Sequence, residues 1–169
     1  PPKVGAMCET SFATVETQVG TLTVVVSPRG VRRISLPTDD PAEVIHATGA
    51  RPGPIGAIRG QLEEYFAGTR TSFDVPLDLE GFPPFRTKVL GALQHVPFGE
   101  TITYKELAAD VDNPGAVRAV GTACAKNPLP LLIPCHRVVR SDGHLGRYRG
   151  GEDMKRFLLA LEGHHERFQ

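Results

Sequence analysis

The chain has 169 residues, enough for one large domain or two small ones, and its 19 basic and 19 acidic residues leave no net charge at pH 7. A neutral chain has no global attraction to nucleic acid or membrane, so an electrostatic contact with either needs a local patch of charge. The three cysteines, Cys8, Cys124 and Cys135, lack metal-ligand spacing, and no signal pattern or membrane-length apolar run occurs, which predicts a cytoplasmic protein without disulfides or membrane contact.

Three segments near the start of the chain are rich in β-branched residues, at positions 12–16, 21–26 and 31–36. Gly20 separates the first two segments, and the turn residues 27–30 separate the second from the third. This alternation of strand-forming and turn-forming residues predicts a three-stranded antiparallel meander.

Two helices and one more strand are predicted between residues 42 and 77. A short helix is expected over about 42–47, and Gly68 ends the second helix. The second helix is indicated by apolar residues at helical spacing: Ile55, Ile58, Leu62, Tyr65 and Phe66. With a strand over 72–77, residues 1–80 are expected to form an α/β scaffold domain.

Composition and periodicity change after residue 80, which sets residues 81–169 apart from the scaffold domain. The first helix of this second part is indicated by four apolar residues on one face: Phe85, Val89, Leu93 and Val96. Thr103 and Glu106 have the spacing of a capping box, so a second helix is expected to begin there. Asn113 followed by Pro114 predicts a third helix, over about 114–125. Two short helices joined by a tight turn indicate a helix-turn-helix.

The third predicted helix has two distinct faces. One face is apolar and is predicted to be core: Val117, Val120, Gly121 and Cys124. The other face carries small residues and cations without an acid: Gly115, Arg118, Ala119, Thr122 and Lys126. Small residues let a helix approach a groove and cations meet phosphates, so we expect this face to contact nucleic acid rather than only solvent.

Cys135 and His136 follow an apolar stretch, residues 127–134, that contains three prolines. Because proline fixes φ and lacks an amide donor, the stretch is predicted to be stiff and extended. A thiol next to an imidazole suggests a nucleophile whose pKa is lowered by positive neighbours. Between residues 113 and 151, six Lys or Arg side chains against one Asp leave a local charge of plus five. The alternative is that Cys135 is a small buried hydrophobe.

Several ordered motifs in the second half resemble the O6-alkylguanine-DNA alkyltransferases. They lie at residues 113–121, 127–130, 133–138, 146–151 and 161–163, and the Pro-Cys-His-Arg sequence at 134–137 is the most specific. The N-terminal half resembles the family only through its strand pattern and residues 73–77. The resemblance implies an N-terminal domain with a ribonuclease-H-like antiparallel sheet and helix, and a mainly α C-terminal domain that contains the helix-turn-helix and the reactive site.

The resemblance also implies a single-turnover reaction without a cofactor or metal. Double-stranded DNA carrying O6-alkylguanine would be the partner, with O4-alkylthymine as a second substrate, and the lesion would be flipped into a pocket. Cys135 would accept the alkyl group irreversibly, His136 would take the thiol proton through a water, and Glu162 would orient His136. The protein is expected to be a monomer without an obligate protein partner.

Further roles are implied by the same alignment of motifs. Tyr104 would help to turn the nucleotide and would donate a proton to the departing guanine, Arg118 would fill the space it leaves, and Asn127 would tie the backbone across the turn before the cysteine. The alkyl pocket would be walled by Pro130, Val138 and Tyr148, under a loop containing Gly146, Gly150 and Gly151. Additional contacts to the DNA backbone are expected from Lys105, Asn113, Ser141 and Arg86.

The chain departs from the family at several positions. It has no tryptophan, and position 86 is an arginine where many members carry glutamine or threonine. Cys8 matches one zinc ligand of some relatives, but the other ligand positions are apolar, so no metal is expected.

The sequence leaves two alternative functions open: a helix-turn-helix regulator that catalyses no reaction, and a cysteine hydrolase.

Overall fold

The computed structural model describes residues 9–164, and the chain divides between Leu79 and Glu80 into two compact units. Cys8 lies outside the described residues. Within residues 9–164, every helix is too short or too polar to cross a lipid bilayer.

A four-stranded sheet forms the centre of the N-terminal unit, with the strand order β3-β2-β1-β4. The strands are β1 (Ser11–Thr17), β2 (Gly20–Ser27), β3 (Gly30–Ser35) and β4 (Arg51–Pro52). The predicted meander is confirmed, since β1 and β3 both pair antiparallel with β2. The short β4 was not predicted; it pairs parallel with β1 and makes the sheet mixed.

Both predicted helices of this unit are confirmed, as α1 (Pro41–Thr48) and α2 (Ile58–Phe66). The Asp40 side chain caps the start of α1 by accepting from the amide of Ala42 at 3.0 Å. On α2, the side chains that face the core are Ile58, Leu62, Tyr65 and Phe66.

The strand predicted over 72–77 is wrong. Only Leu77 forms an isolated bridge, with Val31, and the flanking bonds join Val31 N to Pro76 O and Asp78 N to Val31 O, each 2.9 Å. Pro76 has no amide hydrogen to extend a ladder. Upstream, the amide of Asp74 donates to the Gln61 side chain at 2.8 Å instead of to a strand.

The C-terminal unit is mainly helical, which agrees with the predicted fold class. Its elements are α3 (Pro84–Leu93), β5 (Ile102–Thr103), α4 (Tyr104–Asp110), α5 (Val117–Ala125), a 3₁₀ turn (Cys135–Arg137), β6 (Val138–Val139) and α6 (Glu152–Leu161). Helices α3, α4 and α5 pack against one another, and β5 pairs parallel with β6. The capping box is confirmed: Glu106 N donates to Thr103 Oγ1 at 3.0 Å, and Thr103 N donates to Glu106 Oε1 at 2.9 Å.

The predicted start of α5 is wrong by three residues. The helix begins at Val117, because Pro114 and Gly115 form a turn in which Ala116 N donates to Asn113 O at 2.9 Å. The start signal of Asn113 and Pro114 therefore belongs to the turn that joins α4 to α5.

The predicted core stripe of α5 is only partly confirmed, since Gly121 is half-buried and lines a cavity. Val120 and Cys124 are buried, but Val117 is 37% exposed. Ala123, which was not assigned to the stripe, is buried instead. Val117 occupies the first turn of the helix, where it lines a cavity rather than the core.

Candidate active site

The proline-containing stretch before Cys135 is a compact loop, which makes the predicted extended conformation wrong. The chain turns at Leu131 and Leu132, with Leu131 at φ 81°, and Pro130 forms a bridge with Ile133. Every residue from 127 to 139 is buried. Stiffness here comes from this tight, buried turn as well as from the prolines.

Asn127 holds this loop together from inside. Its Nδ2 donates to Ile133 O at 2.7 Å, and its Oδ1 accepts from Leu129 N at 2.9 Å. The side chain is fully buried and also hydrogen-bonds to the Cys135 side chain, which favours the thiolate. One amide therefore ties α5's C-terminal end to the segment that carries the thiol.

The backbone bends directly at the thiol, in the 3₁₀ turn Cys135–Arg137. Cys135 N donates to Ile133 O at 2.8 Å and Arg137 N to Pro134 O at 3.0 Å. Adjacent side chains point to opposite faces in a strand but not in a 3₁₀ turn, so the bend removes the geometric obstacle to cooperation between Cys135 and His136.

The expectation of a lowered thiol pKa is wrong. Burial raises the pKa of Cys135 above its ordinary value, although the Asn127 hydrogen bond and the nearby Arg149 and Lys155 charges oppose the rise. The resting residue is therefore a thiol, and it needs a base at the moment of reaction.

His136, Glu162 and Arg137 form a buried hydrogen-bonded cluster next to Cys135 in the chain. His136 Nε2 lies 2.8 Å from Glu162 Oε2, while Arg137 binds both oxygens of the same carboxylate, at 2.7 and 3.0 Å. Arg137 also donates to Val96 O at 2.7 Å. In the sequence, Arg137 counts among the six basic residues between 113 and 151 and belongs to the Pro-Cys-His-Arg motif, but nothing local distinguishes its side chain from an exposed arginine.

The pKa values of this cluster indicate which protonation states it holds. Burial opposes ionisation of Glu162, but the hydrogen bonds from His136 and Arg137 lower its pKa to about 2. Burial lowers the pKa of His136 below its ordinary value, against the effect of Glu162. A neutral imidazole beside a carboxylate must donate its Nε2 hydrogen to it, which leaves Nδ1 as a basic acceptor.

A cavity of about 950 Å³ opens beside Cys135. Among the predicted site residues, the structure places these in its lining: Cys135, Tyr104, Lys105, Arg118, Thr122, Ser141 and Tyr148. The remaining wall comes from α5, from the loop 140–149 and from Glu152 at the start of α6, and it includes Cys124, Gly121 and Gly146.

Tyr104 lines the cavity and contacts the loop 140–149 directly. Its hydroxyl donates to Arg147 O at 3.3 Å, and burial together with the Cys124 and Cys135 thiols raises its pKa to about 12. Gly146 has φ 83°, and a Cβ there would lie 3.2 Å from the Tyr104 ring. The loop can approach Tyr104 this closely only with glycine at that position.

The outer face of α5 is exposed along its whole length. It presents Arg118, Ala119 and Thr122, while the exposed Gly115 lies in the turn before the helix and the exposed Lys126 at its C-cap; all five were predicted to contact DNA. The Thr122 hydroxyl is already used by its own helix, since it donates to Arg118 O at 3.1 Å.

Several predicted site residues do not line the cavity, among them two predicted to wall the alkyl pocket and two predicted to bind the DNA backbone. Pro130 and Val138 are buried, and Val138 pairs with Ile102 in the short sheet, so neither walls the cavity. Asn113 is exposed in the turn before α5. The Arg86 guanidinium lies over the Phe82 ring at 5.7 Å.

The sequence analysis did not identify Lys155 or Arg149 as site residues. Lys155 is completely buried, and its ammonium donates to Val138 O at 2.6 Å and to Arg147 O at 3.1 Å. Arg149 donates to Ala125 O at 3.1 Å and to Asn127 O at 2.7 Å. The local sequence does not indicate either role, because each side chain contacts a segment at least eight residues away.

Among residues 9–164, no group of three His, Cys, Asp or Glu side chains is arranged to hold a metal ion.

Comparison with protein families gives one match for each unit. A family model described as the DNA binding domain of 6-O-methylguanine DNA methyltransferase matches residues 84–164. The ribonuclease-like domain of the same family matches residues 11–79.

Individual relatives match over almost the whole chain. The methylated-DNA–protein-cysteine methyltransferase of Mycolicibacterium paratuberculosis is 42% identical over 157 residues, covering 91% of this chain and 93% of that protein. The constitutive enzyme of that name from Bacillus subtilis is 38% identical over 156 residues, covering 89% and 94%. The crystal structure of Mycobacterium tuberculosis OGT in complex with DNA is 38% identical with a TM-score of 0.82, covering 90% of this chain and 92% of that one.

Proposed function

The chain belongs to the 6-O-methylguanine DNA methyltransferase family, and on this basis we propose that it repairs DNA by moving the alkyl group of O6-alkylguanine onto Cys135. Each molecule reacts once, and O4-alkylthymine is a second substrate. The observation that carries the proposal is the placement of Cys135 in a cavity with Tyr104 and Arg118, next in the chain to a His136 that burial keeps neutral and that is hydrogen-bonded to an ionised Glu162.

The transfer is an in-line displacement at the alkyl carbon. The Cys135 sulfur forms a bond to that carbon, the carbon–O6 bond breaks, and its electron pair remains on guanine. The thiol proton passes through a bridging water to Nδ1 of His136, and guanine receives a proton from the Tyr104 hydroxyl. Because burial keeps the thiol protonated, removal of its proton by His136 has to accompany the attack.

Glu162 and Arg137 prepare His136 for this role. Glu162 accepts the Nε2 hydrogen and stabilises the imidazolium that forms, as the buried aspartate does in a hydrolase triad. Arg137 in turn keeps the carboxylate ionised through two hydrogen bonds. The product is a thioether without a good leaving group, so the thiol is not regenerated.

DNA enters the proposal through the outer face of α5. Small residues there allow the helix backbone to approach the duplex, and Arg118 fills the space of the flipped nucleotide. Lys126, Lys105, Asn113, Ser141 and Arg86 bind the phosphate backbone. In this assignment residues 81–169 bind DNA and carry the chemistry, residues 1–80 are a scaffold, and the protein acts as a monomer in the cytoplasm.

A single measurement tests the proposed reaction. After incubation with a duplex containing O6-methylguanine, intact-mass analysis should show one added methyl group per molecule, and peptide mapping should place it on Cys135. An unchanged mass would overturn the proposal. Continuous turnover of an ester or peptide would favour a cysteine hydrolase, and tight binding to a consensus sequence regardless of damage would favour a regulator.

A further inference from the structure

A second thiol, that of Cys124, lines the cavity, and we propose that it is a second nucleophile for bifunctional alkyl groups. Such a group carries a halide at its far end, as in O6-(2-chloroethyl)guanine. After Cys135 has taken the inner carbon from guanine, Cys124 takes the outer carbon, and the alkyl group ends as a bridge between the two sulfurs. This inference rests on the proposed function, because Cys135 must first accept the alkyl group.

Cys124 borders the same space as Cys135, although no step of methyl transfer uses it. Both residues line the cavity of about 950 Å³, and both are free thiols. Each keeps a small exposed fraction, 7% for Cys124 and 6% for Cys135, so neither is sealed within the core. An alkyl group attached to one sulfur therefore extends into a space that the other cysteine also lines.

Asn127 anchors the segments that carry the two thiols. Its backbone amide donates to Cys124 O at 3.2 Å, in the last turn of α5, and its side chain hydrogen-bonds to the Cys135 side chain. Asn127 is itself fully buried. Because one buried residue holds both cysteines, their relative placement is set by the fold before any alkyl group arrives.

The pKa values agree with this proximity and explain the order of the two steps. Burial raises the pKa of Cys124 to about 12, and the charge of a Cys135 thiolate adds to the rise. Cys124 is therefore protonated at rest. Cys135 has His136 as the base for the first transfer, whereas Cys124 attacks only an electrophile that is already held beside it.

The closing step is a second displacement. The Cys124 sulfur forms a bond to the outer carbon, the carbon–halogen bond breaks, and the halide leaves with the bonding electron pair. The Cys124 proton passes to solvent, so the products are a neutral bis-thioether, a halide ion and a proton. Tethering favours this step over hydrolysis, since effective molarities of well-oriented intramolecular reactions reach about 10⁵ M or more.

Dihaloalkanes test the bridge directly, because they supply both reactive carbons without a lesion duplex. The full chain is incubated with 1,2-dibromoethane or with 1,3-dibromopropane, and its intact mass is measured. A bridge adds the alkylene chain and removes two hydrogens, whereas a hydrolysed single adduct retains a hydroxyl group. Trypsin cleaves after Lys126 and so separates Cys124 from Cys135, which means that a bridge joins peptides 119–126 and 127–137 covalently.

Two substitutions accompany the wild type. Cys124→Ser removes the second thiol with little change in volume, and Cys8→Ser is the matched control that loses a thiol but keeps both cavity cysteines. In the wild type and in Cys8→Ser, the bridged product should exceed the hydrolysed adduct about tenfold. Cys124→Ser should carry only single adducts on Cys135, and should form more covalent complex when an undamaged duplex is added after the reagent is removed.

The inference is overturned if the wild type carries only a hydrolysed adduct on Cys135 with both reagents, while peptide 119–126 keeps a free thiol. It is equally overturned if the bridge persists in Cys124→Ser and is lost in Cys8→Ser, because Cys8 would then be the second nucleophile. Methyl transfer from an O6-methylguanine duplex is measured on the same preparation. Normal methyl transfer without a bridge removes only this inference, whereas a bridge without methyl transfer removes the proposed function.

Discussion

The outer face of α5 and the buried cluster around Cys135 belong to the same unit but use charge in opposite ways. On α5, Arg118 and Lys126 are exposed cations separated by small residues. Around the thiol, His136, Arg137 and Glu162 are excluded from solvent and bonded to each other. Salt screens charges of the first kind and leaves the second kind almost unaffected.

This contrast separates recognition from chemistry. An exposed charge can be removed at little cost in stability, so its loss changes binding to DNA. A buried, fully bonded charge cannot be removed without leaving its partners unsatisfied, so its loss changes both reactivity and the free energy of unfolding. The same type of substitution should therefore have different consequences in the two regions.

The largest expected effect is the loss of all transfer in Cys135→Ser. A hydroxyl is a far weaker nucleophile than a thiolate, whereas the shape of the cavity and the face of α5 are unchanged. Transfer is followed by intact mass and binding by fluorescence anisotropy with a lesion duplex. Cys124→Ser is the control, because Cys124 lines the same cavity and should leave transfer on Cys135 intact. Methylation of Cys135→Ser at another residue would contradict the assignment of the nucleophile.

Glu162→Gln should slow transfer roughly a hundredfold and reduce the free energy of unfolding by roughly 3 kcal/mol. The variant leaves Arg137 buried without its counter-charge and no longer stabilises an imidazolium at His136. Single-turnover kinetics and urea unfolding measure the two effects. Glu152→Gln, which breaks the exposed pair with Arg156, should change stability by only about 0.5 kcal/mol. Similar losses in both variants would show that burial does not distinguish the two regions.

Acid should destabilise the wild type through Glu162. Its folded pKa of about 2 lies below the ordinary 4.5, so its contribution is complete above pH 4.5 and is lost as pH falls toward 2. The loss amounts to roughly 3 kcal/mol of unfolding free energy. The lowered pKa of His136 adds to it, because the unfolded chain binds that proton first as pH falls below 6.5. Urea titrations at several pH values give the free energy of unfolding as a function of pH. Below pH 4.5 this free energy should fall less steeply with pH in Glu162→Gln than in the wild type.

Arg118→Ala should reduce the repair rate in duplex DNA about tenfold while leaving the reaction with free O6-methylguanine base unchanged. The side chain is exposed and belongs to the surface proposed to face the duplex, not to the buried cluster. The two substrates are compared in single-turnover assays at equal thiol concentration. Equal losses with both substrates would assign Arg118 to the chemistry rather than to extrusion of the nucleotide.

The smallest expected effect is that of Lys126→Ala, which should weaken binding to duplexes of any sequence by about two- to threefold. A single phosphate contact is lost, so the slope of log affinity against log salt should decrease by about one. Titrations at three salt concentrations measure both quantities. An unchanged salt slope would show that Lys126 does not belong to the DNA-binding surface. The stability and the transfer rate of the variant should equal those of the wild type.

Much of this molecule follows from interactions between residues close in sequence. The meander of β1 to β3, helices α1 and α2, and the capping box of Thr103 and Glu106 are all confirmed, because alternation, helical spacing and capping act within a few residues. The family is confirmed as well, from motifs in the second half of the chain. The errors lie where local signals compete: Asn113 and Pro114 begin a turn rather than α5, and Pro76 stops a strand.

The sequence by itself determined the meander, most of the helices and the family, and it suggested Cys135 and the neighbouring imidazole as the reactive pair. Only the tertiary structure decided that Arg137 and Lys155 are buried, and that the Cys135 pKa is raised rather than lowered. Their partners lie far along the chain, as with Arg137 and Val96 or Lys155 and Val138. The pKa of a side chain depends on how much solvent the packing removes from it and on which dipoles the packing places around it. Neither can be deduced from the residues that are its neighbours in sequence.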